Sequence, residues 1–156
     1  MTWALDDLLP HRAPMVLIDG VESFDPVARS ITARVSITPD HVLYSTVLGG
    51  VPNWAAIEFM AQAAAAHAGC IDKERDPSQP ARPGLLLGTR RLDLRTDSFA
   101  AGRTYSVKVV SEFWDDETAS FECAVVDDSG AVVAEAALNA YRPKDFGKFL
   151  KEQANT

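Results

Sequence analysis

Apolar and polar residues alternate toward both ends of the chain, and the alternation lapses between them. Ser30 to Ile37 sets Ile31, Ala33, Val35 and Ile37 on one side, the period of two that a half-buried strand needs. Before it, the apolar run Met15-Val16-Leu17-Ile18 reads as a strand start continuing through Val21 to Phe24, with Asp25-Pro26 as the turn between the two. Four further strand-like runs occupy the second half: Leu85 to Arg95, Arg103 to Phe113, Thr118 to Val126 and Ala131 to Tyr141. The spacer Asp127-Asp128-Ser129-Gly130 is a strong hairpin signal.

The middle reads differently. From Leu43 to Ile71 the one formally charged residue is Glu58. Gly49-Gly50 and Pro52 interrupt the backbone, Asn53 is a candidate N-cap, and Trp54 to Ile71 is an alanine-rich helix. A helix apolar on nearly every side is expected to be buried on most of them. Residues 72–84 are charged and proline-rich and read as a solvated loop. Trp3 to Leu9 suggests one or two helical turns stopped by Pro10.

Two strands, one long helix and four strands predict an α+β domain: an antiparallel curved sheet of about five or six strands wrapped around the central helix. The domain is expected over residues 1–143, with 144–156 a polar tail that is helical or frayed. The chain has 156 residues, 47% of them hydrophobic, and 15 Lys and Arg against 22 Asp and Glu. That balance argues against a general nucleic-acid binder, which needs clustered cations. Cys70 and Cys123 are too few for a disulfide framework or a cysteine zinc site. No signal-peptide pattern opens the sequence and no apolar run is long enough to span a membrane, so a cytoplasmic location is expected.

Three blocks carry a resemblance. Leu9-Pro10-His11-Arg12-Ala13-Pro14-Met15-Val16-Leu17-Ile18-Asp19 resembles the first conserved segment of the bacterial 3-hydroxyacyl-[acyl-carrier-protein] dehydratases, L-P-H-R-x-P-x-L-L-V-D. Pro52 to Gln62 is similar to their helix start, P-G-x-x-x-x-E-x-M-A-Q. Leu87-Gly88, Arg91 to Arg95, Phe99 and Gly102 resemble their third segment. The P-H-R-A-P-M and V-P-x-W-x-x-I-E-x-M-A-Q forms look closest to the dehydratase-like proteins of aryl-polyene pigment clusters. The resemblance implies a hot-dog fold, a dimer of like or related subunits and an acyl carrier protein as partner. It implies no metal and no organic cofactor. One motif departs from the family: the catalytic histidine of G-H-F-P is absent, and Tyr44 stands at its spacing from Glu58.

Dehydration of a 3-hydroxyacyl thioester needs a base at C2, an acid for the leaving hydroxyl and donors for the thioester oxygen. Glu58 is the candidate acid, expected to be buried and raised in pKa by that burial. His41 and His11 are the candidate bases; otherwise His41 is a solvated turn residue and His11 a polar pin for its segment. His67 falls on the far side of the helix from Glu58 and reads as a satisfied core or interface residue. Gln62, one turn beyond Glu58, shares its face and is a candidate to orient the carboxylate or the substrate, or else a polar residue satisfied by backbone. The resemblance assigns the backbone amides of Asn53 and Trp54 to the thioester carbonyl, and Gly88 and Tyr44 are further candidates for substrate contact. Between residues 81 and 110 six cations face two anions, so Arg90, Arg91 and Arg95 form a candidate patch for an acidic carrier protein, or the solvated face of a strand. Three readings stay open: a dehydratase, a thioesterase using the helix carboxylate, and a subunit supplying only part of a dehydratase site.

Overall fold

The computed structural model describes residues 3–115 and 117–155. A short helix α1 (Leu5–Leu8) precedes β1 (Gly20–Asp25) and β2 (Ser30–Ser36). The strand β3 (Gly50–Pro52) leads through a 3₁₀ turn (Asn53–Ala55) into the central helix α2 (Ala56–Arg75). There follow β4 (Leu85–Leu94), β5 (Ser98–Ala100), β6 (Thr104–Trp114), β7 (Thr118–Val126), β8 (Val132–Tyr141) and α3 (Phe146–Ala154). Six strands form one antiparallel sheet in the order β1-β2-β6-β7-β8-β4, and β3 pairs with β5 apart from it. The sheet wraps α2, which is the hot-dog fold.

Alternation decides which face meets the helix. Ile31, Ala33 and Val35 of β2, Tyr105, Val107 and Val109 of β6, and Phe121, Cys123 and Val125 of β7 are buried on one face. Phe59, Met60, Ala63, Ala66 and Cys70 of α2 are buried with them. Burying each large apolar side chain contributes about 1.5–3 kcal/mol. Burial pushes the thiols of Cys70 and Cys123 up to about 12, which makes them poor nucleophiles.

Four expectations need correction. Met15 to Asp19 is not strand: β1 starts at Gly20, because Gln62 takes up the backbone groups of residues 15 and 17. The helix runs one turn past Ile71, to Arg75. Its Lys73 is buried and donates to the carbonyls of Pro77 and Gln79, so the charged segment first extends the helix and then ties the following loop to it. Asn53 does not cap the helix; its side chain donates to the carbonyl of Thr96 at 3.0 Å. The pair β3–β5 went unforeseen because three-residue strands carry too little alternation to detect. The tail is helical, begun by Asp145 accepting from the Lys148 amide.

His67 lies on the face of α2 away from Glu58, as expected, but it is not satisfied. It is 2% exposed, neither ring nitrogen has a partner among the described residues, and it sits edge-on among Phe24, Trp114 and Phe121. Burial lowers its pKa to about 4. The unfolded chain therefore binds the extra proton between about pH 6.5 and 4. This contribution to stability is fully present above pH 6.5 and is lost as pH falls through 4, reaching about 3 kcal/mol. His41, also lowered by burial, acts in the same sense. Urea unfolding across pH 4–7 is expected to show this slope, and His67→Phe to flatten most of it; an unchanged slope in the variant refutes the assignment.

Candidate functional site

The site is assembled where the N-terminal segment crosses α2. Leu8 and Leu9 are buried, and α1 lies against Gly69. A Cβ at residue 69 would fall within 3.0 Å of the Leu8 backbone, so only glycine allows this approach. The chain then passes Pro10 and brings His11 over the first turn of α2. His11 Nε2 lies 3.8 Å from Glu58 Oε1. Its Nδ1 is buried without a partner among the described residues.

Gln62 holds the arrangement together. It is fully buried, its Oε1 accepts from the Leu17 amide at 2.8 Å, and its Nε2 donates to Met15 O at 2.7 Å and to Glu58 Oε1 at 3.0 Å. One amide thus imitates a strand partner for the N-terminal segment and also fixes the carboxylate one turn away. The Glu58 side chain is 41% exposed, which corrects the expectation of a buried acid. It stands at the mouth of a groove rather than inside a dry slot.

That groove, about 180 Å³, runs from His11 and Glu58 along the small side chains Ala61, Ala64, Ala65 and Ala68. Ala119 and Phe121 of β7, and Leu138 and Ala140 of β8, border it from the sheet. These alternate residues share the concave face. Trp114, Arg82 and Arg142 border its far end. Arg142 is committed elsewhere, pairing both its terminal nitrogens with Asp72 at 2.8 and 3.1 Å while lying over the Trp114 ring. The groove lining escaped the sequence reading, although alanines spaced i, i+3, i+4, i+7 were visible as one stripe of the helix.

The other candidates lie apart from this groove. His41 Nδ1 accepts from the Leu43 amide and its ring meets Phe59 edge-on, so it is a half-buried turn residue of this chain and does not line the groove. Tyr44 closes the same turn through its amide and is half-buried outside the groove. Gly88 sits at an irregularity of β4, with no atom within 4 Å of where a Cβ would be. Trp54, at the helix start, is 57% exposed. Asn53 opens the 3₁₀ turn beside it. The first amides of such a turn have no intrahelical partner. Of the cationic patch, Arg91 pairs with Glu122 at 2.8 Å and Arg95 with Glu135 at 2.6 Å across the sheet, while Arg90 is exposed with no hydrogen bond or ion pair among the described residues. Two of the three cations are therefore neutralised by their own sheet. No His, Cys, Asp and Glu side chains gather as metal ligands among the described residues. Among the described residues no helix is long and apolar enough to cross a membrane.

A hot-dog sheet around a helix that holds a fixed carboxylate at the head of an apolar groove marks a protein of the hot-dog dehydratase family. Within it the chain belongs to the ApeP-like family (ApeP dehydratase), whose model matches residues 3–151. A 3-hydroxyacyl-[acyl-carrier-protein] dehydratase FabZ of Chlamydia pneumoniae is 37% identical over 95 residues, covering 57% of this chain and 58% of that protein. The FabZ of Chlamydia trachomatis serovar L2 is 28% identical over 119 residues, covering 65% and 77%. Among solved structures, a chain of the dehydratase heterocomplex ApeI:P from Xenorhabdus doucetiae superposes with TM-score 0.90 at 29% identity, over all of both chains. A hypothetical thioesterase with coenzyme A from Streptococcus pneumoniae shares the fold alone, at TM-score 0.58 and 9% identity over 79% of this chain and 84% of that one.

Gln62→Met keeps the length of the side chain and deletes the amide. The Leu17 N–H and Met15 carbonyl then lose their partner, and the expected loss is ~2–4 kcal/mol of unfolding free energy. Urea denaturation reads it as a lower midpoint at constant slope. A variant as stable as the parent would show that the clamp is not needed.

Proposed function

We propose that this chain is one subunit of a two-subunit dehydratase that converts a 3-hydroxyacyl thioester on acyl carrier protein to the 2-enoyl thioester and water. The observation that carries this reading is the half-open site. Glu58 stands at the mouth of the groove with its side chain 41% exposed, and the family's G-H-F-P histidine is missing from the sequence. A second wall is needed to exclude water and a second residue to act as base.

The edge strand β4 supports the placement of that wall. It ends the sheet, and Leu86 and Leu87 on it are 43% and 63% exposed. The opposite edge strand, β1, exposes no large apolar side chain. A related hot-dog subunit seated along β4 would cover the groove. Full-length similarity to a chain of the ApeI:P heterocomplex favours a related subunit over a second identical one.

In this reading a base from the partner takes the C2 proton. Glu58 protonates the 3-hydroxyl as the C3–O bond breaks, the C2=C3 bond forms, and water leaves. His11 lies close enough to orient the carboxylate and return its proton. The unpaired amides at Asn53 and Trp54 receive the thioester oxygen. The carrier protein reaches the site from the helix start, with Trp54 at that start and the exposed Arg90 of β4 as its candidate contacts.

The chain alone, and the chain with a related hot-dog subunit bearing G-H-F-P, would be given a 3-hydroxyacyl thioester on carrier protein. Enoyl absorbance and free thiol would be followed separately. Turnover to enoyl product is expected in the pair and not in the chain alone, and Glu58→Gln in the pair is expected to cost about 10²–10⁴-fold. Full turnover by the chain alone overturns the two-subunit reading, release of thiol overturns the dehydratase, and an active Glu58→Gln pair overturns the site.

A further inference from the structure

Two more spaces lie beyond the groove, and one side chain stands among all three. The second space, about 170 Å³, lies on the other side of α2 and is bordered by His67, Ile71 and Trp114. The third is bordered by Gln79, Trp114 and Lys144. Trp114 borders the groove as well. It is the last residue of β6 and contacts His67 at 6.0 Å and Phe121 at 6.2 Å between ring centroids. It therefore lies level with the later turns of α2, whereas Glu58 lies in the first. From Ala61 to Ala68 the helix rises about 10 Å at about 1.5 Å per residue.

We propose that Trp114 is the end wall of the groove and sets the longest acyl chain that fits when the thioester lies at Glu58. This rests on the dehydratase reading above only in taking the groove as the acyl site. The ring is held from three sides: Arg142 lies over it at 5.4 Å, and His67 and Phe121 meet it edge-on. Arg142 is itself anchored by Asp72. A wall braced in this way does not swing aside at little cost. Beyond Glu58 the helix side of the groove offers only alanine, so the helix sets no stop of its own before Trp114. Beyond the indole, space resumes. Its loss would join the groove to the second and third spaces.

The probes are saturated acyl-pantetheine amides of increasing length, which the enzyme cannot turn over. Their affinity for the full chain, assembled with its hot-dog partner, would be measured by calorimetry. Each methylene that finds apolar surface strengthens binding about fourfold. The parent is expected to gain with length and then level off where the chain meets the indole. In Trp114→Ala the gain is expected to continue for at least two more methylenes, a relative improvement of about tenfold or more for the longest probes. Trp114→Phe, which keeps a ring against His67 and Phe121, is expected to shift the limit less and serves if the alanine variant does not fold. Ala68→Leu, filling the groove before the wall, is expected to shorten the limit.

An unchanged limit in a folded Trp114 variant overturns the end wall while leaving the groove reading intact, provided that Ala68→Leu still shortens it. A limit that Ala68→Leu does not move, or no binding by the parent at any length, overturns both.

Discussion

A single buried amide carries the architecture of this site. Gln62 sits in the middle of an apolar helix, where an unpaired amide would cost about 1–3 kcal/mol for each group left without a partner. It is tolerated because its groups are used: the Leu17 amide, the Met15 carbonyl and the Glu58 carboxylate. The same bonds keep residues 15–17 out of the sheet and bring the preceding His11 within 3.8 Å of Glu58. Removing the amide therefore removes the reason for the fold of the N-terminal segment as well as the orientation of the acid.

The groove and the acid meet at a boundary between water and hydrocarbon. Along α2 the side chains shrink to alanine where the groove passes and grow to Phe59 and Met60 where the helix meets the sheet. The helix is apolar all round for two separate reasons: one face fills a core, and another leaves a volume empty. Water reaches the carboxylate in the isolated chain. Covering the groove would expel it and strengthen each electrostatic contact made there.

Much of this was legible in the residues. Period-two runs located five of the six strands of the main sheet to within a residue or two, and the lone charge in a 29-residue apolar stretch marked Glu58. What escaped had a physical cause. Met15 to Ile18 has the composition of a strand, and nothing local reveals that a glutamine 45 residues away satisfies its backbone. The three-residue strands β3 and β5 are too short to alternate. The sequence favours His41 over His11 as the base, but their separation from Glu58 depends on how two loops cross the helix, and His11 is the one that lies within 3.8 Å of it. The burial of Glu58 was overestimated because a run of apolar neighbours does not distinguish a filled core from an open groove. The arginines of β4 look like a positive patch in one dimension, yet their counterions lie on β7 and β8, across the sheet.

The uncovered margin at β4 has a consequence for how the molecule must be produced. A terminal strand with apolar side chains facing outward offers unsatisfied amides and carbonyls to whichever chain arrives first, including another copy of itself. In the two-subunit reading, supply in step with a matching subunit keeps that margin occupied, whereas oversupply turns the same hydrogen-bonding groups into a seed for insoluble assemblies, so the ratio of the two polypeptides matters as much as the stability of either.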